Sequence, residues 1–206
     1  LLPLLDAMVI RKNPKIFVGY SDVTCLHFYM RRMTGLITLH GPLTTGALAT
    51  GMDRADWESL SAAVTVGHEL SLTGKKLIGG YAEGPLVGGN LSVLASLCAT
   101  QAEPDLTGSI LFLEDIGEKP YRLDRMLMQL KLARLLDGVQ GVVLGDFTDC
   151  ENPAVPDITS LGVLTRFFEG LGVPTIHGAP IGHGAFNRSL PMGAWAKLDA
   201  DRGVLA

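Results

Sequence analysis

Lys15-Ile-Phe-Val-Gly19-Tyr20-Ser21-Asp22-Val23-Thr24 decides the reading of this chain, because an apolar, strand-like run stops at Gly19 and passes directly into a helix that starts near Ser21. A strand–turn–helix of this kind holds a serine hydroxyl at the carboxyl edge of a sheet and aims the following backbone N–H groups at whatever the hydroxyl attacks. The same residues suit an ordinary helix cap, with Ser21 accepting from an orphan N–H and Thr24 in the first turn. Val23 stands where a G-x-S-x-G elbow would carry its second glycine.

Outward from the elbow, a second strand-like run spans Ile37 to His40, with helix-compatible sequence from Ser21 to about Met33 between them. This is one βαβ step. Residues Asp53 to Val66 read as helix, and Ser71-Leu-Thr-Gly74-Lys-Lys76 reads as a turn or connector that marks a boundary. Beyond it, Gly84-Pro-Leu-Val-Gly88-Gly89-Asn90-Leu-Ser92 reads as a glycine-rich turn feeding an apolar helix. Ser109-Ile-Leu-Phe-Leu-Glu114 and Gly141-Val-Val-Leu-Gly145 read as buried strands, and Pro120 opens a helix with Leu123, Met126, Leu127 and Leu130 at helical spacing. Continuous apolar strands alternating with helices predict an α/β fold with parallel sheet covered on both faces. The tail, Gly193 to Leu205, has the pattern of a hairpin.

Composition narrows the classes. The 206 residues are 47% hydrophobic and 18% charged, ample for a real core. A net charge of −4 with no basic run gives no footprint for nucleic acid. No run of eighteen apolar residues suggests a membrane span. Cys25, Cys98 and Cys150 match neither a disulfide framework nor a C-x-x-C site, which favours a reducing compartment. The chain opens at Leu1-Leu-Pro without methionine, in what reads as a helix or its lead-in, so we expect a segment upstream of it.

A nucleophilic serine needs a base within hydrogen-bond reach and a third group to orient that base. Glu114 follows a buried strand at its carboxyl end, where open α/β sheets place their sites; it is equally suited to cap the loop that follows. Of five histidines, His27 and His68 read as structural or surface residues, and His40 as part of the tight turn His40-Gly41-Pro42. His177 and His183 flank Gly178-Ala-Pro180-Ile-Gly182, and His183 sits between two glycines that allow close backbone approach to a cleft. Metal ligation has little support, since there is no H-E-x-x-H and neither loop histidine has a ligand partner at familiar spacing. Gly88-Gly89-Asn90 lacks the lysine of a P-loop, so nucleotide binding has little support either.

Taken together, these segments resemble the LD-carboxypeptidases, serine peptidases that include muramoyltetrapeptide carboxypeptidases and microcin C self-immunity peptidases. The resemblance is carried by Asn13 through Thr24, His40-Gly-Pro42, Gly84 through Ser92, Ile110 through Asp115, Pro120 through Leu127, Gly182-His183, Leu190-Pro191-Met-Gly193 and Ala196 through Asp199. It implies Ser21 as nucleophile, Glu114 as acid, His183 as base, and the Asp22 backbone N–H as one oxyanion donor, the second coming from a turn upstream of Leu1. It further implies two domains, residues 1–74 forming the later part of a nucleophile domain and residues 75–206 a C-terminal domain that supplies acid and base. The implied protein is a cytoplasmic homodimer without cofactor or metal, releasing D-alanine from murein tetrapeptides. A related peptidase acting on an aminoacyl-nucleotide antibiotic, and a non-catalytic peptide-binding fragment, are the alternatives. Arg122 and Arg188 are the cationic candidates for a substrate carboxylate, each equally readable as a surface residue.

Overall fold

The computed structural model describes residues 1–65 and 70–206, and His68 lies outside the described residues. In chain order the elements are α1 (Ala7–Lys12), β1 (Val18–Gly19), α2 (Thr24–Thr34), β2 (Thr38–His40), α3 (Ala47–Thr50), α4 (Arg54–Val64), β3 (Leu72–Thr73), β4 (Lys75–Ile78), β5 (Tyr81–Asn90) and α5 (Leu91–Ser96). They continue with β6 (Ile110–Ile116), α6 (Pro120–Leu132), β7 (Gly141–Thr148), α7 (Ser160–Leu171), β8 (Thr175–His177), β9 (Leu190–Met192), β10 (Trp195–Asp199) and β11 (Val204–Leu205).

Two sheets organise these elements. A small one has the order β1-β2-β9, with β1 and β2 parallel and β9 added antiparallel from far down the chain. The larger sheet has the order β3-β11-β10-β5-β6-β7-β8-β4, with β5 through β8 parallel. Its edge strands β3 and β4 are separated only by Gly74, whose N–H donates to Gly203 O at 2.9 Å beside β11. On the other side, a Cβ on Gly74 would sit 2.9 Å from the His177 carbonyl of β8. One continuous segment, Leu72–Ile78, therefore joins both edges and closes the sheet on itself. The connector read at Ser71 to Lys76 is thus a pair of short strands whose partners lie far away in sequence.

The core follows from the same sequence features. Ile110 through Leu113 and Val142 through Leu144 are almost fully buried, as continuous apolar strands covered on both faces must be. On α6, Pro120 occupies the first turn and Leu123, Leu127 and Leu130 form the buried stripe at helical spacing, whereas Met126 is only partly buried. Helix α7, which the sequence reading did not anticipate, starts with Thr159 accepting from Gly162 N–H, buries Val163, Leu164 and Phe168, and stops at Gly172 in the left-handed region. The hairpin expected at the C-terminus is β10–β11, paired antiparallel.

Gly84 to Asn90 is a correction. This segment is the last seven residues of a ten-residue strand, not a turn. Gly88 has φ 149°, and a Cβ there would overlap the Phe112 carbonyl on the neighbouring strand. Gly89, at φ 133°, leaves room for Thr24, whose Oγ would lie 2.5 Å from a Cβ. Glycine is needed here for close approach of neighbouring elements, which local sequence cannot distinguish from turn formation.

Candidate active site

Ser21 lies two residues after β1 with φ 65°, one of few non-glycine residues in the left-handed region. A 3-10 turn, Ser21–Val23, then leads directly into α2. The turn is tight because Gly19 has no side chain: a Cβ there would come within 2.6 Å of Val23 Cγ2. Val23, which departs from the double-glycine elbow, occupies that space. Ser21 makes no cap hydrogen bond in this turn; its hydroxyl points to the loop between β8 and β9.

That loop brings in His183. His183 Nε2 lies 3.1 Å from Ser21 Oγ, and Nδ1 lies 2.6 Å from Glu114 Oε2. With Glu114 as carboxylate, Nδ1 carries the proton and Nε2 is left as acceptor toward the serine hydroxyl. Glu114 sits at the carboxyl end of β6 and is fully buried. Gly182, at φ 116°, permits this contact, since a Cβ would stand 2.7 Å from Glu114 Oε2. Burial lowers the His183 pKa, but the Glu114 hydrogen bond and charge, with Asp115 and Asp22 beyond, outweigh it and raise the net value above 6.5. The Tyr20 ring packs against the imidazole with centroids 4.7 Å apart. Burial, together with the Glu114 charge, raises the Tyr20 pKa.

Neighbouring groups fix the frame. Asp115 accepts from Asn90 Nδ2 at 3.1 Å, from Ser92 N–H at 2.8 Å and from Ile116 N–H at 2.8 Å, while burial still raises its pKa. Asn90 caps α5 and its own N–H donates to Thr24 Oγ1 at 3.1 Å, which ties the Glu114 side of the cleft to the helix after Ser21. One Glu114 oxygen, Oε1, is buried without a partner among the described residues.

The remaining candidates separate cleanly. His27 is buried between Thr38 Oγ1 at 2.7 Å and Gly19 O at 2.8 Å, supporting β1 rather than facing the cleft. His40 ends β2 and bonds Asn187. His177 ends β8. Arg188 is held by Asp56 and, at 3.5 Å, by Asp53, so its charge is already neutralised. Arg122 is half-exposed and pairs with Glu118 at 3.3 Å. Among the described residues no three metal-binding side chains cluster, and no helix is long and apolar enough to cross a membrane. Sequence reasoning missed Tyr20, Asp56 and Asn187; the loop Gly182 to Leu190 was weighed only for its histidine and arginine.

Known proteins share this architecture. The model of the LD-carboxypeptidase C-terminal domain matches residues 83–198, and that of the LD-carboxypeptidase N-terminal domain matches residues 1–41. The probable murein peptide carboxypeptidase of Bacillus subtilis is 41% identical over 205 residues, covering 95% of this chain and 63% of its own length. The chain thus spans under two thirds of that relative. The microcin C7 self-immunity protein MccF of Escherichia coli is 30% identical over 98% of this chain and 67% of its own. The crystal structure of muramoyltetrapeptide carboxypeptidase from Oxalobacter formigenes superposes with a TM-score of 0.88 at 31% identity, covering 98% of this chain and 70% of that one. Matched at its start and across the span that holds Glu114 and His183, the chain belongs to the LD-carboxypeptidase family.

Proposed function

We propose that this chain is the catalytic portion of a serine peptidase that releases the terminal D-alanine from murein tetrapeptides, with Ser21 as nucleophile, His183 as base and Glu114 as the acid that orients it. The observation that carries the reading is the continuous hydrogen-bonded chain Ser21 Oγ, His183 Nε2, His183 Nδ1, Glu114 Oε2. Ser21 attacks the scissile carbonyl while His183 takes the hydroxyl proton and later delivers it to the leaving amine. Glu114 holds the working tautomer and stabilises the imidazolium. The Asp22 N–H supplies one oxyanion donor at the start of the turn. A second donor is expected from outside these 206 residues, and lack of one such donor costs about 3 kcal/mol in the transition state.

On this reading residues 1–74, the later part of a nucleophile domain, supply the serine, and residues 75–206 supply the acid and base. Murein peptide processing fits a cytoplasmic protein, and a homodimer is the expected assembly. The murein activities for which the B. subtilis and O. formigenes relatives are named support the murein reading over the antibiotic one, because the first is 41% identical against 30% for the MccF sequence and the second 31% against 27% for the MccF structure. The test is a matched pair of murein tetrapeptides ending in D-Ala and L-Ala, incubated with wild type and Ser21→Ala in the presence of a chelator. Release of D-alanine alone, lost in Ser21→Ala, is expected. Turnover by Ser21→Ala sinks the triad, and hydrolysis of an aminoacyl-nucleotide amide instead of the tetrapeptide moves the chain to the self-immunity branch.

A further inference from the structure

The loop carrying His183 is held from a side the triad does not use. Its first half is pinned to β7, with Ala179 N–H donating to Leu144 O at 3.1 Å and Asp146 N–H donating to Ile181 O at 2.8 Å. Its second half is anchored to α4. Asp56, only 6% exposed, accepts the Asn187 backbone N–H on both carboxylate oxygens at 3.1 Å and pairs with Arg188. One turn further along α4, Ser59 Oγ accepts from Ser189 N–H at 2.9 Å.

The Asn187 side chain turns back into the cleft. Its Oδ1 receives the Gly182 N–H at 3.0 Å and lies 3.1 Å from His40 Nε2. A backbone N–H can only donate, so the Asn187 atom facing Gly182 must be oxygen. The same oxygen faces His40, so His40 Nε2 must carry its proton. Burial holds His40 neutral, with a pKa pushed down to about 3, the nearby His27 adding to the effect. One amide oxygen therefore joins two donors that never lose their protons in the working range. The first is on the end of β2, the strand paired with β1 just before Ser21; the second is on the residue directly before His183.

Glycines on both sides of His183 leave its backbone without local steric restraint. Misplacing a catalytic group by about 1 Å is enough to cost about 100-fold in rate. We propose that Asn187 is a positioning residue for this reaction: its side-chain oxygen, clamped between His40 Nε2–H and Gly182 N–H, sets the placement of the His183 imidazole against Ser21 and Glu114. The proposal rests on the triad reading above. Asp56 and Arg188 hold Asn187 in turn, which explains why a buried aspartate pairs with an arginine in a loop that faces the site.

Three variants test it: Asn187→Ala, which removes the acceptor; Asn187→Gln, which keeps the amide but moves it by one methylene; and Asn187→Asp, which keeps an acceptor oxygen in place. The readouts are the NMR titration of the His183 ring in this chain, with Tyr20, His40, Glu114, Asp115 and Asp22 as its charged or titratable surroundings, and kcat and KM for D-alanine release. Asn187→Ala and Asn187→Gln are expected to lower kcat about 10- to 100-fold with KM within twofold, and to move the His183 pKa down toward 6.5 as its contact with Glu114 loosens. Asn187→Asp recovers most of kcat. If Asn187→Ala does not fold, Asn187→Gln carries the comparison. An unchanged His183 titration in Asn187→Gln, a loss confined to KM, or an Asn187→Asp variant as impaired as Asn187→Ala overturns the proposal. Should Ser21→Ala retain turnover, the triad reading falls, while the His183 titration still decides whether Asn187 sets the imidazole.

Discussion

Replacing Ser21 with glycine should leave a more stable protein than replacing it with alanine, although glycine is ordinarily the worse residue for stability. Both substitutions delete the hydroxyl and its 3.1 Å contact with His183 Nε2, so that loss cancels in the comparison. What remains is the backbone, held at φ 65°. An alanine there keeps a Cβ crowded against the chain, at about 1–2 kcal/mol. Glycine escapes that crowding and gives back about 0.4–1 kcal/mol through the greater freedom of its unfolded chain. The balance favours glycine by about 0.5–1 kcal/mol, equivalent to about 1–4 °C in Tm for a chain of this size. Urea melts of the two variants, compared at equal m, resolve a difference of that size. A glycine variant equal to or less stable than the alanine variant would refute the claim that the elbow holds its serine in a strained conformation.

Three further outcomes follow from other parts of the structure. Because the folded His183 pKa is raised and catalysis needs the neutral ring, the acid limb of kcat/KM should lie above pH 6.5 and move down in Glu114→Gln; the stabilising effect of its protonated form is present below 6.5 and fades as pH rises through the folded value, so a limb unmoved by Glu114→Gln contradicts the assignment. His40 runs the other way. With a folded pKa of about 3, wild type should lose about 1.4 kcal/mol per pH unit relative to His40→Gln as pH falls below 6.5, and parallel pH–stability curves for the two proteins would show that His40 is not buried as a neutral donor. Gly88→Ala and Gly35→Ala both place a side chain at positive φ, but only the first meets a backbone carbonyl, that of Phe112, whereas nothing lies within 4 Å of the second. Gly35→Ala should cost about 1 kcal/mol and Gly88→Ala well over twice that, and equal losses in chemical melts would remove the close-approach explanation for β5.

What the sequence revealed and what it hid divide by the range of the interactions involved. The elbow at Ser21, the strand ending at Glu114 and the glycine-flanked His183 were legible because each has a local signature: an apolar run stopped by glycine, an acid after four apolar residues, an imidazole between two glycines. That the three converge was suggested by their shared suitability for one cleft and sharpened by the family resemblance. The glycines of β5 were misread because their reason lies on β6 and α2, in the Phe112 carbonyl and the Thr24 side chain. Strands β3, β4 and β9 are two to four residues long and take their partners from distant sequence, so propensity had nothing to act on. Asn187 was invisible for the same reason. Its partners are His40, Asp56 and Gly182, and a single asparagine after a glycine-rich stretch reads as loop.

The closure of the larger sheet at Gly74 has a consequence in time. Leu72 pairs with Leu205, and Thr73 with Val204, so the flank of this sheet that carries β3 is closed by residues far apart in sequence. Contacts of such long sequence separation form late, after the entropy of the intervening loop has been overcome. On a ribosome the parallel strands β5 through β8 can assemble while β10 and β11 are still in the exit tunnel, leaving β5 with an open flank next to the residues that will frame Glu114. The acid's strand is therefore in place before the layer that seals it, and β11, pairing with β3, acts as the latch that ends exposure of the nascent sheet. Deleting Val204 and Leu205 would leave the local sequence of every other strand intact and yet prolong the interval in which that flank is open to other chains.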